Sequence, residues 1–135
     1  MIDVDEFKKY NDHFGHGAGD RCLRDVAAAM GGALTPPDLL ARYGGEEFVV
    51  LMPETTVQQA AAMADRLVAV VAGLGQPHAP SARHPHVTIS VGVAISTETD
   101  SIATLVERAD AALYQAKQGG RNRMKRASMP PPAGP

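Results

Sequence analysis

The sequence predicts an α+β fold, and three observations carry that expectation. Two short apolar runs, residues 39–43 and 48–52, flank Gly44-Gly45, the pattern of a β-hairpin. Residues 86–95 alternate strictly, with Val87, Ile89, Val91, Val93 and Ile95 on one face, as in a strand. Three further stretches repeat apolar residues at the spacing of an amphipathic helix.

The elements follow in order. Residues 1–5 read as the end of a strand, which suggests a chain that starts inside its domain. Residues 6–11 form a short helix with Phe7 and Tyr10 on one face, broken by Gly15, Gly17 and Gly19. A longer helix is expected over 19–30, on the stripe Cys22, Leu23, Val26, Ala27 and Met30, closed by Gly31-Gly32. Residues 35–38, with two prolines, make a stiff connector into the hairpin. In the hairpin a tight turn with positive φ is expected at the glycines, which places Glu46 and Glu47 at its tip. An alanine-rich helix is expected from Thr55 or Thr56 to Leu74, and a flexible loop over 73–85. Gly92, inside the alternating strand, marks a close approach by another element. Ser101 caps a helix over 102–118 that Gly119-Gly120 ends, and 121–126 make a last short strand. The expected division is a domain over 1–126 and a disordered, proline-rich tail over 127–135.

Composition narrows the function classes. The 135 residues suit one domain. A net charge of −2 carries no global signature of nucleic-acid or membrane binding, and no apolar run is long enough to span a bilayer, so a soluble, cytoplasmic protein is expected. With one cysteine, Cys22, there is no internal disulfide and no cysteine-rich zinc site. His13 and His16 lack a third ligand at suitable spacing, which disfavours a transition-metal site. The glycine-rich run 15–19 follows a helix rather than a strand, so it fails the context of a dinucleotide loop.

The chemistry-bearing residues are acidic at the front and basic at the back. Asp3 and Asp5 share a face if both are extended, unless the following helix turns Asp5 away. Asp3 with Glu46 from a neighbouring strand would hold Mg²⁺ together with substrate phosphates, since paired carboxylates suit a hard cation. The competing reading is a solvated turn and a terminal charge. Lys8 could meet those phosphates or lie on a solvated helix face. Lys117, Arg121, Arg123, Lys125 and Arg126 place five cations within ten residues, either complementing a helix dipole or neutralising phosphate.

Five segments, in order, then resemble the GGDEF-domain diguanylate cyclases. They are residues 1–12 (MIDVDEFKKYND), 15–20 (GHGAGD), 42–48 (RYGGEEF), 90–94 (SVGVA) and 109–117 (ADAALYQAK) continuing into Gly120-Arg121-Asn122-Arg123. The resemblance implies a fold similar to the nucleotide-cyclase palm, a ferredoxin-like, mainly antiparallel sheet with helices packed on it. It implies condensation of two GTP molecules into cyclic di-GMP and pyrophosphate across an antiparallel homodimer, with Mg²⁺ or Mn²⁺ as cofactor. By the family pattern, Asp3, Glu46 and the Val4 carbonyl hold metal, and Glu46 and Glu47 are the catalytic acidic positions. Asn11 and Asp20 match guanine readers. Lys8, Lys117 and Arg121 match phosphate-binding positions, and Gly45 leaves room for nucleotide. Arg42 is part of the signature.

Two departures from the pattern are expected to matter. An inhibitory product site of the Arg-x-x-Asp kind reads here as Thr35-Pro36-Pro37-Asp38, so Thr35 replaces the arginine and weak product feedback is expected; Arg66 matches only a secondary product contact. The family's first helix and an N-terminal regulatory module lie ahead of the matched region and outside this sequence. The alternative functional reading is therefore a non-catalytic GTP-binding or interaction module, or a fragment unable to dimerise productively.

Overall fold

A computed structural model describes residues 1–130 and bears out the α+β expectation. The chain runs β1 (Ile2–Val4), α1 (Phe7–Phe14), α2 (His16–Ala33), β2 (Leu39–Arg42), β3 (Glu47–Leu51), α3 (Val57–Ala72), β4 (Ile89–Val93), α4 (Ile102–Gln118) and β5 (Arg123–Arg126). The strands form one sheet in the order β2-β3-β1-β4-β5. Three of its pairings are antiparallel and β4–β5 is parallel. The expected tail lies partly outside the described residues.

β1 is short but central, and its register aligns the molecule. Ile2 stands between Phe48 and Val91, and Asp3 between Glu47 and Ser90. Opposed residues on paired strands share a face, so Ile2, Phe48 and Val91 join α1, α2 and α3 in the main core. Met1 and Val49 lie on the opposite face with Ala109 and Leu113 of α4. Asp3 shares that second face.

Local chemistry explains the helix limits. Thr56 and Ser101 each form a capping box, with Gln59 and Thr104 reaching back to the cap amide. Gly15, at φ 89, separates α1 from α2. Gly17 and Gly19 do not break the chain as expected, and α2 also runs through Gly31 and Gly32 to Ala33. Tertiary packing overrides propensity here: Cys22, Val26, Met30 and Ala33 are all buried along one stripe. Gly92 behaves as the sequence indicates, because a Cβ there would collide with the Ala109 carbonyl and the Leu113 amide of α4.

The loop expected to be flexible is tied down at both ends. Its backbone bonds join His78 to Pro85 and Val87 to Gln76, and His78 and Ala79 are buried. The Ala79 amide donates to His78 Nδ1, which leaves Nε2 as the donor to the Asp5 carbonyl at 2.9 Å. The Arg83 amide and Lys9 both bond Glu6, and Lys9 also reaches the Ser81 carbonyl.

Candidate functional site

The site lies where β1, the start of β3 and the end of α4 meet. Asp3 is buried, and its carboxylate accepts a 2.7 Å ion-pair hydrogen bond from Lys117, which is 114 residues away in sequence. Lys117 reaches it because α4 packs across β4 and ends beside β1. Glu47 opens β3 directly opposite Asp3, and Glu46 precedes it, receiving on its carbonyl the Val4 amide at 3.1 Å. Glu46 does not return that bond to the Val4 carbonyl.

The electrostatics favour a cation. Burial raises the Asp3 pKa; the hydrogen bond and charge of Lys117 oppose this, and Glu46 and Glu47 push it up further. Three carboxylates against one ammonium leave two negative charges in a partly desolvated corner. Carboxylate oxygens with an unreturned main-chain carbonyl form the oxygen donor set that Mg²⁺ takes. The residues present therefore fit a divalent cation held by Asp3, Glu46 and the Val4 carbonyl. Among the described residues, no cluster of three or more His, Cys, Asp or Glu side chains is poised as a ready metal cage. A cation here would accordingly keep ligands from water or substrate, as Mg²⁺ commonly does.

Asp5 is not part of that donor set. Its carboxylate faces β4, accepting from the Thr88 hydroxyl at 2.7 Å, the Ser90 hydroxyl at 2.6 Å and the Asn122 amide at 3.0 Å. Its amide still continues the pairing with the β4 side, donating to the Thr88 carbonyl at 2.9 Å, and the chain turns after it, at Glu6 with φ 51. Asp5 instead fastens the loop that follows α4. That loop carries three successive left-handed residues, Gly120, Arg121 and Asn122, with φ values of 116, 64 and 48. Only glycine adopts such a φ freely, so the Arg121 and Asn122 conformations depend on external anchors. The Asn122 bond to Asp5 and the Arg121 amide bond to the Ala116 carbonyl supply them. Sequence reasoning missed this clamp, because nothing local links Asp5 with Thr88, Ser90 and Asn122.

The hairpin turn is built differently from the expectation. Neither Gly44 nor Gly45 has positive φ; the loop is wider than a two-residue turn, with the Tyr43 and Gly44 amides both donating to the Glu47 carbonyl. Arg42 closes it, donating to the Gly44 carbonyl at 3.1 Å and the Gly45 carbonyl at 2.6 Å. A Cβ on Gly45 would meet only open space, so this stretch of main chain is bare on that side.

The remaining expected residues lie on α1, α2 and α3 and in the connector between α2 and β2. Lys8 is exposed on the first turn of α1. Asn11 is half-buried, its Oδ1 has no hydrogen-bond partner, and it lies so close to Gly19 that a Cβ there would overlap it. Asp20 follows Gly19 directly and is exposed. The Asn11 oxygen is buried against Gly19, so it is the rest of this half-buried amide, with the exposed Asp20 carboxylate, that offers hydrogen-bonding groups to a polar heterocycle. Among the described residues, His13 and His16 gather no further ligands. Asp38 lies at a turn in which its amide bonds the Thr35 carbonyl, and Arg66 is exposed on α3.

A family sequence model described as "Diguanylate cyclase, GGDEF domain" matches residues 1–123. This chain belongs to the GGDEF domain family. It is 46% identical over 123 residues to the response regulator PleD of Caulobacter vibrioides, covering 90% of this chain and 27% of that protein. Among solved structures it resembles the coiled coil and GGDEF domain of DgcB from Caulobacter crescentus in complex with c-di-GMP, at a TM-score of 0.84 and 35% identity. That match covers 93% of this chain and 66% of the other. It also resembles the active GGEEF domain of a diguanylate cyclase from Vibrio cholerae, at a TM-score of 0.82 and 32% identity, covering 96% and 81%. The GGDEF domain here thus spans about a quarter of the length of its curated relative PleD. No described helix is long and apolar enough to cross a membrane.

Proposed function

We propose that this GGDEF domain is the half-site of a diguanylate cyclase, joining two GTP molecules into cyclic di-GMP with release of pyrophosphate. The observation that carries the reading is the buried Asp3 carboxylate flanked by Glu46, Glu47 and Lys117. Family membership and the names of the relatives support the same chemistry.

Each residue takes a role that its surroundings allow. Asn11 and Asp20 read guanine: the carboxylate accepts from the base N–H groups, and the Asn11 amide can donate and accept. Lys8, Lys117 and Arg121 receive the triphosphate, with Lys117 transferring its hydrogen bond from Asp3 to a phosphate oxygen as nucleotide enters. Gly45 leaves the main chain open to the nucleotide. A bound Mg²⁺ or Mn²⁺ supplies Lewis acidity, lowering the pKa of the attacking hydroxyl and offsetting charge on the leaving group. Asp3, Glu46 and the Val4 carbonyl are its holders.

The reaction forms a bond between the 3′-oxygen of one GTP and the α-phosphorus of the other as the bond to pyrophosphate breaks. Glu46 accepts or steers the hydroxyl proton, and Glu47 adds to the negative field that holds the cation. One half-site holds one nucleotide, so turnover requires a second copy of the domain facing the first, an antiparallel homodimer acting in the cytoplasm where GTP is available. Product feedback through Asp38 is weak, because Thr35 offers no guanidinium to stack on guanine.

The test is cyclic di-GMP formation from GTP and Mg²⁺ by the wild type, Glu46→Ala and Asp3→Ala, with GTP binding measured alongside. The proposal expects product from the wild type alone. Equal product from all three, or none from any while GTP binds normally, would overturn it.

A further inference from the structure

The turn after α4 gathers cations from two distant parts of the chain. Arg123 Nη2 and Arg83 Nη2 stand 2.9 and 3.9 Å from the point a Cβ on Gly120 would occupy, so two guanidiniums converge on one bare glycine. Arg123 is held there by its Nε, which donates to the Arg121 carbonyl at 3.0 Å. Arg83 arrives from the loop between α3 and β4, and three bonds fix that loop beside the turn. His84 Nε2 donates to the Gly120 carbonyl at 2.9 Å, the Arg83 amide donates to Glu6 at 2.6 Å, and Lys9 donates to the Ser81 carbonyl at 3.2 Å.

No carboxylate answers these two charges. Among the described residues, the ion pairs are Lys9 with Glu6, Arg108 with Asp100 and Lys117 with Asp3, and the Arg83 side chain makes no hydrogen bond. The acids nearby are already engaged: Asp5 by Thr88, Ser90 and the Asn122 amide, and Glu6 by Lys9 and the Arg83 amide. Burial works to raise the Glu6 pKa, but the Arg83 amide, Lys9 and the neighbouring charge of Arg121 hold it below its usual range. Arg121 therefore stands in the same group as a third guanidinium. Like charges gathered this way repel, and an anion with several oxygens relieves the repulsion by accepting from the forked N–H donors of each.

We propose that Arg83, with Arg123 beside it, binds the terminal phosphate of a nucleoside triphosphate. The inference rests on the reading of Lys117 and Arg121 as phosphate holders and extends that site by a residue from a separate loop. Lys117 is bonded to Asp3 and marks the reacting end, whereas Gly120 follows it in the chain and is bonded to the loop that carries Arg83. The pair at Gly120 is thus placed for the phosphates that depart rather than for the one that reacts. Because the Arg83 side chain holds no part of the fold, it can turn onto a ligand, and its planar fork matches phosphate oxygens in a way that a lysine ammonium does not. The pair distinguishes a triphosphate from a diphosphate, since only the longer chain reaches it.

The test is calorimetric titration of the wild type, Arg83→Ala and Arg83→Lys with GTP, GDP and pyrophosphate, each with Mg²⁺. Arg83→Ala is expected to bind GTP and pyrophosphate about tenfold more weakly, to bind GDP as the wild type does, and to melt at the wild-type temperature. Arg83→Lys keeps the charge without the fork and is expected to recover part of the loss. GTP binding unchanged in Arg83→Ala, or GTP and GDP weakened equally, would overturn the proposal while leaving the wider reading of the site intact. If the wild type binds no GTP, that wider reading fails, and pyrophosphate decides this one: a tenfold loss in Arg83→Ala, on the order of one charge-assisted bond, supports it, and absent or unchanged binding overturns it.

Discussion

Replacing Asp5 with alanine tests whether this buried carboxylate fastens the loop after α4. Asp5 accepts three hydrogen bonds of 2.6 to 3.0 Å, from the Thr88 hydroxyl just before β4, the Ser90 hydroxyl in β4 and the Asn122 amide, and is 3% exposed. Bonds to an ionised acceptor are worth roughly 1.5–3 kcal/mol each, so three removed together cost roughly 5–9 kcal/mol before compensation. Removing a buried charge returns several kcal/mol of desolvation, and the hydroxyls can rotate to new partners. The net loss is expected at about 2–4 kcal/mol, a fall in melting temperature on the order of 10 °C. Urea unfolding measures the first and calorimetry the second. Asp5→Asn keeps an acceptor in place and is expected to lose about half as much. With Asn122 released, Arg121 loses an anchor for its left-handed backbone, so GTP affinity should fall in Asp5→Ala even where the fold survives. A stability loss under about 0.5 kcal/mol, or unchanged GTP affinity at full loop release, would refute the reasoning.

Three further outcomes are expected. Gly92→Ala forces a Cβ into the Ala109 carbonyl and the Leu113 amide, backbone groups that cannot swing aside, so the urea midpoint is expected to fall by about 1–3 kcal/mol equivalent. Burial raises the Cys22 thiol to about 11, opposed by its bond with Tyr10 and helped by Asp25, so Cys22 should resist alkylation at neutral pH in the folded protein and react on unfolding. The sign for stability follows from linkage: the folded state keeps this proton longer than the unfolded one, so its contribution is present below 9.0 and is lost as pH rises towards 11, which unfolding curves across that range can measure. Cyclic di-GMP is expected to inhibit turnover only weakly; micromolar inhibition that disappears in Asp38→Ala would contradict the role given to Thr35.

How much of this was legible in sequence depends on whether a feature is local. The helices α3 and α4 and their caps were readable because Thr56 and Ser101 act within four residues. The close approach at Gly92 was readable because a lone glycine weakens an alternating strand unless the missing side chain makes room for a neighbour. Gly17 and Gly19 misled, since glycine propensity points to a break, whereas α1 and α2 pack so tightly that Asn11 occupies the space a Cβ would need at Gly19. The glycine turn misled for a related reason: it is held by the Arg42 guanidinium rather than by left-handed backbone. Candidate site residues were recognised through the resemblance of five ordered segments. Their physical arrangement was not visible, because the pairing of Asp3 with Lys117 and the clamp on Asp5 join residues more than eighty positions apart. Strand register decides such contacts, and register is a property of the whole sheet.

The central claim is that two copies of this half-site together perform the condensation. The direct measurement is cyclic di-GMP formation per protomer at saturating GTP and Mg²⁺ across a wide range of protein concentration. The account predicts a specific rate that rises with concentration and then levels off as dimers fill, with no product from Glu46→Ala at any concentration. A specific rate independent of concentration in protein shown to be monomeric by sedimentation would contradict it.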